Sequence, residues 1–209
     1  MRHEYLGQAV RPLDAVMPAL AQDAAEFLLG TLVVTAAFWG LVRYLRIRDS
    51  RILASLGAGL VACLLESQSM TMLKFLYPPV GQNVLYTGFG VPVPVFMGLM
   101  YGAFFGAANC LFLVRVRGAL SLKSFTLALG AIVACELALE VVCLDFGLWA
   151  YFDDQPFTVG GFPLHVAFIV GAMSLALGAF SRVWFDRVQG WRQFGLVLVG
   201  PLVLVACYH

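Results

Sequence analysis

A chain of 209 residues that is 61% hydrophobic and only 12% charged is not an ordinary soluble domain, in which about a quarter of the residues are charged. Its formal net charge of +1 and its scattered basic residues exclude the concentrated basic surface that nucleic-acid binding needs. Several apolar runs are long enough to cross a bilayer, at roughly 20 residues per helix. We therefore expect an integral membrane protein whose partner is the lipid bilayer and not a nucleic acid.

The N-terminal stretch 1–23 carries charges throughout and lacks the continuous apolar core of a signal peptide. Its mixture of charged and apolar residues is typical of a segment that lies at the membrane surface. We predict an interfacial segment over 1–23 that contains a short helix over 12–22.

Six apolar segments follow and predict an all-α, polytopic membrane helix bundle that forms a single domain over 1–209. The segments cover residues 24–45, 52–76, 93–114, 124–144, 164–184 and 194–208. The last segment is short and ends beside the C-terminus, so the alternative of a seventh helix stays open.

The loops between these segments differ sharply in charge. Basic residues concentrate in three of them: Arg43, Arg46, Arg48 and Arg51 in the first, Arg115, Arg117 and Lys123 in the second, and Arg182, Arg187 and Arg192 in the third. The alternate loops, 77–92 and 145–163, contain no Lys or Arg. The positive-inside rule predicts that these two loops and the N-terminus lie on the non-cytoplasmic side.

The two loops without basic residues are rich in aromatic residues, Gly and Pro. Irregular backbone at a membrane is tolerated where protein buries it or where it lines a cavity. We therefore predict that 77–92 and 145–163 fold back over the bundle as a lid.

A tandem repeat relates the units 52–114 and 124–184. Glu66 precedes Tyr77 by eleven positions, and Glu140 precedes Tyr151 by the same spacing. Downstream of each pair the pattern T-x-x-G-x-P recurs, as TGFGVP and as TVGGFP. The repeat is parallel, so the two glutamates are predicted at similar depth. A continuous helix would place each glutamate and its tyrosine on one stripe, about 16 Å apart.

Carboxyl groups inside the apolar segments are the strongest functional signal. A charged carboxylate at the bilayer centre costs at least about 2.5 kcal/mol, so such residues normally face the bundle interior and mark function. We name four candidate catalytic residues: Glu66, Glu136, Glu140 and Asp145. A neutral carboxylic acid that faces an apolar cavity is suited to protonating an alkene or an epoxide. The alternative for each is a structural hydrogen bond to a neighbouring helix.

A cation formed in this way needs electron-rich, water-free walls, which aromatic rings provide. The candidate substrate-binding residues, concentrated near the two loops, are Tyr77, Phe89, Phe96, Tyr101, Trp149, Tyr151, Phe162 and His165. Aromatic residues also collect at membrane interfaces for structural reasons. His165 is open to two interpretations, a proton relay or a packed interfacial histidine.

A small all-helical membrane protein with Glu66 in CLLESQSM and a second acid further along resembles the membrane-bound terpene cyclases of meroterpenoid and indole-diterpene pathways. The resemblance implies a cyclase that protonates an isoprenoid or prenylated small molecule, with Glu66 as the matching acid. Those enzymes usually span the membrane seven times. The run LEVVCLDFGLWAYFDDQPFTVGGFPLHVAF also resembles actinobacterial membrane proteins, which implies a bacterial plasma membrane.

No cofactor and no metal are expected. The five cysteines lie in apolar runs without CxxC or Cys/His spacing, and acidic clusters of the DDxxD kind are missing. Two alternatives to the cyclase stay open. One is a sterol-isomerase-like membrane enzyme, and the other is a non-enzymatic small transporter or lipid-binding protein.

Overall fold

The computed structural model describes residues 13–110 and 121–206. These residues are mostly helical, and we number six helical segments in chain order. They are α1 Ala19–Ile47, α2 Arg51–Leu73, α3 Val95–Ala108, α4 Leu122–Asp145, α5 Leu164–Arg187 and α6 Gly190–Val205. Six short strands lie in the connections: β1 Phe75–Leu76, β2 Val84–Gly88, β3 Val91–Pro94, β4 Ala150–Tyr151, β5 Thr158–Val159 and β6 Phe162–Pro163.

Four of these helices, α1, α2, α4 and α5, are long and apolar enough to cross a membrane. The prediction of a mostly helical chain with helices able to span a membrane is confirmed at this level. The predicted segments 93–114 and 194–208 correspond to the shorter apolar helices α3 and α6. Their predicted ends lie outside the described residues, as does much of the predicted basic loop after α3.

Helices α2 and α3 approach each other closely enough for their backbones to touch. A Cβ atom on Gly59 would lie 2.5 Å from the carbonyl oxygen of Tyr101, and one on Gly106 would lie 2.8 Å from the carbonyl oxygen of Ser55. Small residues permit this kind of packing between membrane helices, where van der Waals contact replaces the hydrophobic effect as the driving force. The close crossing brings Tyr101 of α3 beside the end of α2 that carries Glu66.

The two hairpins β2–β3 and β5–β6 share their register. Thr87 pairs with Pro92 in the first, and Thr158 pairs with Pro163 in the second. The central turn residues have positive φ in both, at Phe89 (51°) and Gly90 (73°) and at 160 (59°) and 161 (84°). Two consecutive residues with positive φ are the mark of a type I′ turn, whose twist matches that of paired strands. The T-x-x-G-x-P pattern therefore encodes a hairpin of one geometry, used twice.

The predicted helix over 12–22 is wrong for residues 13–18. There the chain is extended, and Val16 forms a parallel bridge with Val80. The amide of Met17 donates to the carbonyl of Val80 at 2.8 Å, and the amide of Val80 donates to Ala15 at 3.1 Å. Helix α1 begins at Ala19, directly after Pro18, which is extended at ψ 104°. Residues 1–12 lie outside the described residues.

Candidate functional site

Glu66 and Tyr77 meet because the chain turns back after α2. The helix ends at Lys74, which adopts the left-handed conformation at φ 53°. The chain then reverses, and the hydroxyl of Tyr77 donates a hydrogen bond to Oε1 of Glu66. The prediction of a shared helical stripe with a separation of about 16 Å is therefore wrong, because the helix stops before the tyrosine and the chain folds onto the glutamate.

A second reversal brings two donors back to Glu140. Helix α4 ends at Asp145, and Gly147 turns the chain at φ 70°. Nε1 of Trp149 then donates to Oε2 of Glu140 at 2.7 Å, and the hydroxyl of Tyr151 donates to Oε1 at 3.2 Å. Both oxygens of this buried carboxyl group are satisfied by the loop that follows the helix.

The two reversals are joined by the strand pair β1–β4. Phe75 pairs with Tyr151 and Leu76 pairs with Ala150 in antiparallel register. The amide of Phe152 adds a hydrogen bond of 2.9 Å to the carbonyl of Lys74. Strand pairing between residues so distant in sequence fixes the two glutamate–tyrosine pairs relative to each other. Where they adjoin this strand pair, the two loops pack against the bundle, since Tyr77 and Tyr151 are buried, whereas most of residues 84–90 and 156–160 is exposed.

Glu66 receives its second hydrogen bond from another helix. The hydroxyl of Tyr101, on α3, donates to Oε2 of Glu66 at 2.7 Å. Tyr77 occupies the other oxygen, so both Glu66 oxygens accept from tyrosines. Hydrogen bonds of this kind are needed for burial, because an unsatisfied carboxyl group in an apolar interior costs several kcal/mol.

The carboxyl groups of Glu66, Glu136 and Glu140 line one cavity of about 70 Å³, which we call the carboxyl cavity. The remaining walls are mainly aromatic and methionine side chains from α3 to α5 and from the two reversals. Glu136 lies one helical turn before Glu140 and is 8% exposed. In contrast to its two neighbours, Glu136 has no hydrogen-bond donor among the described residues. Its carboxyl group is therefore available to a molecule in the cavity.

No Lys, Arg or His belongs to the described residues that line the carboxyl cavity. Three carboxylates facing one apolar space without a countercharge would repel one another strongly, because the local dielectric is low. Protonation of one or more of the three groups reduces this repulsion. The arrangement can therefore store a proton and offer it to an apolar ligand.

The structure brings together some of the sequence-predicted site residues. Tyr77, Tyr101, Trp149 and Tyr151 line the carboxyl cavity with the three glutamates. Two more predicted residues are fully buried behind the wall. Phe96 stacks on Trp149 with ring centroids 6.4 Å apart, and Phe162 contacts Tyr151 at 5.8 Å.

Three predicted site residues do not line the carboxyl cavity. Phe89 is 84% exposed, because it occupies the tip of the β2–β3 turn and points away from the bundle. Asp145 is exposed, since it lies beyond Glu140 at the end of α4 and faces outward. His165 is half-buried in the first turn of α5, outside the lining. These three residues therefore lie apart from the carboxyl cavity, and their predicted role stays a prediction.

Sequence reasoning missed several lining residues, among them Met97, Met100 and Met173. A signal for Met97 existed. Met97, Tyr101 and Phe104 follow one another at helical spacing, so they share one face of α3. The chemistry of methionine, which is apolar and polarisable, gave no reason to separate these residues from ordinary packing.

A charged contact joins the two reversals outside the lining of the carboxyl cavity. Nζ of Lys74 forms an ion pair with Asp153, and this pair joins the two reversals. The Lys74 ammonium group beside it lowers the pKa of the exposed Asp153 carboxyl below its usual value. Gln155 adds hydrogen bonds from Nε2 to the carbonyls of Leu73 at 3.2 Å and Phe152 at 3.1 Å.

Within residues 13–110 and 121–206, no group of three His, Cys, Asp or Glu side chains is arranged to hold a metal ion. Comparison of the chain with protein families, with curated proteins and with solved structures finds no match. The geometry of the carboxyl cavity therefore carries the functional argument.

Proposed function

We propose that this protein is a membrane-embedded terpenoid cyclase. A carboxylic acid in its interior would protonate an alkene or epoxide of a prenylated, lipid-like molecule, and aromatic side chains would stabilise the carbocation. The observation that supports this most directly is the carboxyl cavity itself. Its three carboxyl groups face an apolar, aromatic space, and one of them, Glu136, has no described donor.

In this proposal all six helical segments cross or enter the membrane, and the hairpins lie on the non-cytoplasmic side. The basic loop after α1 then faces the cytoplasm, in keeping with the positive-inside rule. The parallel repeat is part of the same proposal. The two glutamate–tyrosine contacts at equal spacing support it, and so do the two hairpins of equal register.

The roles of the glutamates follow from their hydrogen bonds. Glu136 would be the initiating acid, because its O–H group has no competing partner among the described residues. Glu66 and Glu140, each held by two aromatic donors, would present fixed negative charge to the cation. Fixed charge that needs no reorganisation during the reaction is the largest contribution in many enzymes.

The proposed reaction is balanced without an added reagent. The O–H bond of Glu136 breaks as its proton forms a C–H bond at the less substituted alkene carbon, which leaves a tertiary cation. An internal alkene attacks the cation and closes the ring. A proton adjacent to the new cation then passes to the Glu136 carboxylate, directly or by way of a second carboxylate of the cavity. The product is an isomer of the substrate, and the acid is regenerated.

The walls of the cavity suit such a cation. The faces of Tyr77 and Trp149 and the neighbouring Phe104 offer π electrons, and each close cation–π contact contributes about 0.5–2 kcal/mol. The packed rings also keep water away, since Tyr77 contacts Trp149 with ring centroids 6.0 Å apart. Exclusion of water prevents early capture of the cation.

A sterol-isomerase-like activity is the second candidate, and the small volume of the cavity favours it. A space of about 70 Å³ accommodates a few carbon atoms, which is enough to move one double bond. The acid, the cation and the aromatic wall would be the same. The two candidates differ in the product, which gains a ring in one and keeps its ring count in the other.

The test uses membranes that contain the protein, supplied in D₂O with geranylgeranylated hydroquinone or with its terminal epoxide. We expect an isomeric product that carries deuterium on carbon when an alkene is protonated. An epoxide yields a cyclic product whose added deuterium exchanges from oxygen. Glu136→Gln should lower turnover by at least ~10²-fold, because an amide has no transferable proton near neutral pH.

Glu26→Gln is the matched control, because Glu26 lies on α1 and bonds only the exposed side chain of Asn83. It should leave turnover unchanged. If Glu136→Gln inserts, folds and reacts at the wild-type rate, Glu136 is not the acid. If Glu66→Gln and Glu140→Gln react at the wild-type rate, those two carboxyl groups are structural. If the wild-type protein forms no product from either molecule, a lipid-binding or transport function replaces the enzyme.

A further inference from the structure

A second space, which we call the side crevice, lies between α3 and α4 and has a volume of about 210 Å³. Phe104, Ala108 and Asn109 form one wall, Ala131 and Cys135 form the other, and Ser174 of α5 is at the floor. Ala131 and Cys135 are exposed on the flank of the molecule. In a membrane this flank faces the acyl chains, so the crevice is open to the bilayer.

Phe104 lines both the side crevice and the carboxyl cavity. The two spaces therefore adjoin at this side chain. Rotation of an aromatic ring between staggered positions is a small motion compared with the opening of a helix pair. A ligand that enters from the bilayer can reach the glutamates past Phe104 without displacing the hairpins.

The side crevice contains polar groups that the protein leaves largely unused. Ser174 is 1% exposed, and its buried Oγ makes no hydrogen bond to a described residue. The amide of Asn109 makes one long bond of 3.4 Å to the carbonyl of Phe105. A buried hydroxyl group without a partner costs about 1–3 kcal/mol. A hydrogen-bonding group on a ligand would remove that cost.

The volumes of the two spaces indicate that each space holds a different part of one ligand. Pockets that enclose a whole small molecule have volumes of roughly 300–1,000 Å³. The carboxyl cavity, at about 70 Å³, holds only the reacting end of a prenyl chain. The rest of the molecule needs the larger adjoining space.

Charge limits the ligand further. No Lys, Arg or His is found among the described residues that line the side crevice. A diphosphate there would be a buried multiple anion without a counterion, which is strongly disfavoured. A neutral head that carries a hydroxyl or carbonyl group matches Ser174 and Asn109.

We infer that the side crevice binds the neutral, hydrogen-bonding head of a prenylated molecule, which enters from the bilayer and extends its prenyl end past Phe104 into the carboxyl cavity. This inference rests on the proposed function and names its substrate class. It also sets the direction of binding, with the head at Ser174 and Asn109 and the reacting end at Glu136.

The test is photoaffinity labelling of the full chain in membranes. The probe is geranylgeranylated hydroquinone with a diazirine on its ring, and labelled peptides are located by mass spectrometry. We expect labels on α4 near Ala131 and Cys135 and on α5 near Ser174. Unlabelled geranylgeranylated hydroquinone should compete for these labels, and geranylgeranyl diphosphate should not.

Two pairs of variants test the site. Ala131→Trp fills the crevice and should reduce labelling by at least ~10-fold, while Ala134→Trp, on the adjacent exposed face of α4, should not. Ser174→Ala should weaken competition by unlabelled geranylgeranylated hydroquinone by about 3–10-fold, because the variant removes one hydrogen bond to the head. Ser181→Ala, buried elsewhere on α5, is its control.

Labels confined to the hairpins, or spread equally over α1 and α4, would overturn the inference, as would equal effects of Ala131→Trp and Ala134→Trp. Competition by geranylgeranyl diphosphate would contradict the proposal that the bound head is neutral. Labelling does not depend on turnover, so the two proposals fail separately. If the crevice is labelled and the Glu136→Gln protein is active, Glu136 is not the initiating acid. If the Glu136→Gln protein is inactive and the labels lie elsewhere, the side crevice is not the binding site.

Discussion

Glu66 and Glu140 follow the same local pattern, and the protein holds them in different ways. Glu66 receives hydrogen bonds from Tyr77, in its own reversal, and from Tyr101, on a neighbouring helix. Both donors of Glu140 come from the reversal that follows its own helix. The first carboxyl group therefore depends on the crossing of α2 and α3, while the second is assembled within one stretch of chain.

The two regions also differ one helical turn earlier. The second has Glu136 four positions before Glu140, and the first has Ala62, which is fully buried, four positions before Glu66. An additional acid is therefore present on one side of the cavity only. In the proposed mechanism this asymmetry separates the proton donor from the carboxylates that stabilise the cation.

The largest expected effect in this comparison concerns turnover. Glu66→Gln and Glu140→Gln should each lower the rate by about 10²-fold, because each removes fixed negative charge that faces the cation. Product formation from geranylgeranylated hydroquinone measures this, with Glu26→Gln as the control. If one variant loses activity and the other keeps the wild-type rate, the two carboxyl groups are not equivalent in stabilising the cation.

The next effect concerns stability. Tyr77→Phe should destabilise the fold by about 2 kcal/mol, because it leaves one oxygen of a buried carboxyl group without a donor. Tyr151→Phe should cost about 1 kcal/mol, since its bond to Glu140 is 3.2 Å long and Trp149 remains in place. Unfolding of the detergent-solubilised protein measures both. Equal losses would show that the Tyr151 bond to Glu140 contributes as much to stability as the Tyr77 bond to Glu66.

A smaller effect separates the ring of Tyr151 from its hydroxyl group. Tyr151→Phe keeps an aromatic face in the cavity wall and should retain most of the turnover. Tyr151→Leu removes the face and should lower turnover by about 10-fold, in line with the loss of one cation–π contact. If the two variants were equally impaired, the hydroxyl group would be the functional part of this side chain.

The smallest effect concerns the ion pair between Lys74 and Asp153, which joins the two reversals. Lys74 lowers the folded-state pKa of Asp153, so the contribution of the pair is present above the unfolded-state pKa and is lost as the pH falls through the folded value. Both partners are solvent-accessible, so Lys74→Met should change the melting temperature less than Tyr151→Phe does. Melting curves at neutral and acidic pH measure this, and any difference at neutral pH should disappear in acid or at high salt.

The sequence alone determined the apolar character of the chain, the four long helices and the presence of carboxyl groups within them. These features depend on hydropathy and helical periodicity, which are local properties of the chain. The repeated T-x-x-G-x-P pattern was also visible, although its meaning as a hairpin with a type I′ turn was not.

Tertiary structure decided which side chains meet. Whether a tyrosine eleven positions away lies far along a helix or against the glutamate depends on where the helix ends, and Lys74 and Gly147 end or turn it with positive φ. The bond from Tyr101 to Glu66 depends on the close crossing of α2 and α3. Glu136 has no described donor because of the side chains that pack around it, and these come from distant parts of the chain. Contacts between distant segments arise from packing and strand pairing, and no local pattern in the sequence specifies them.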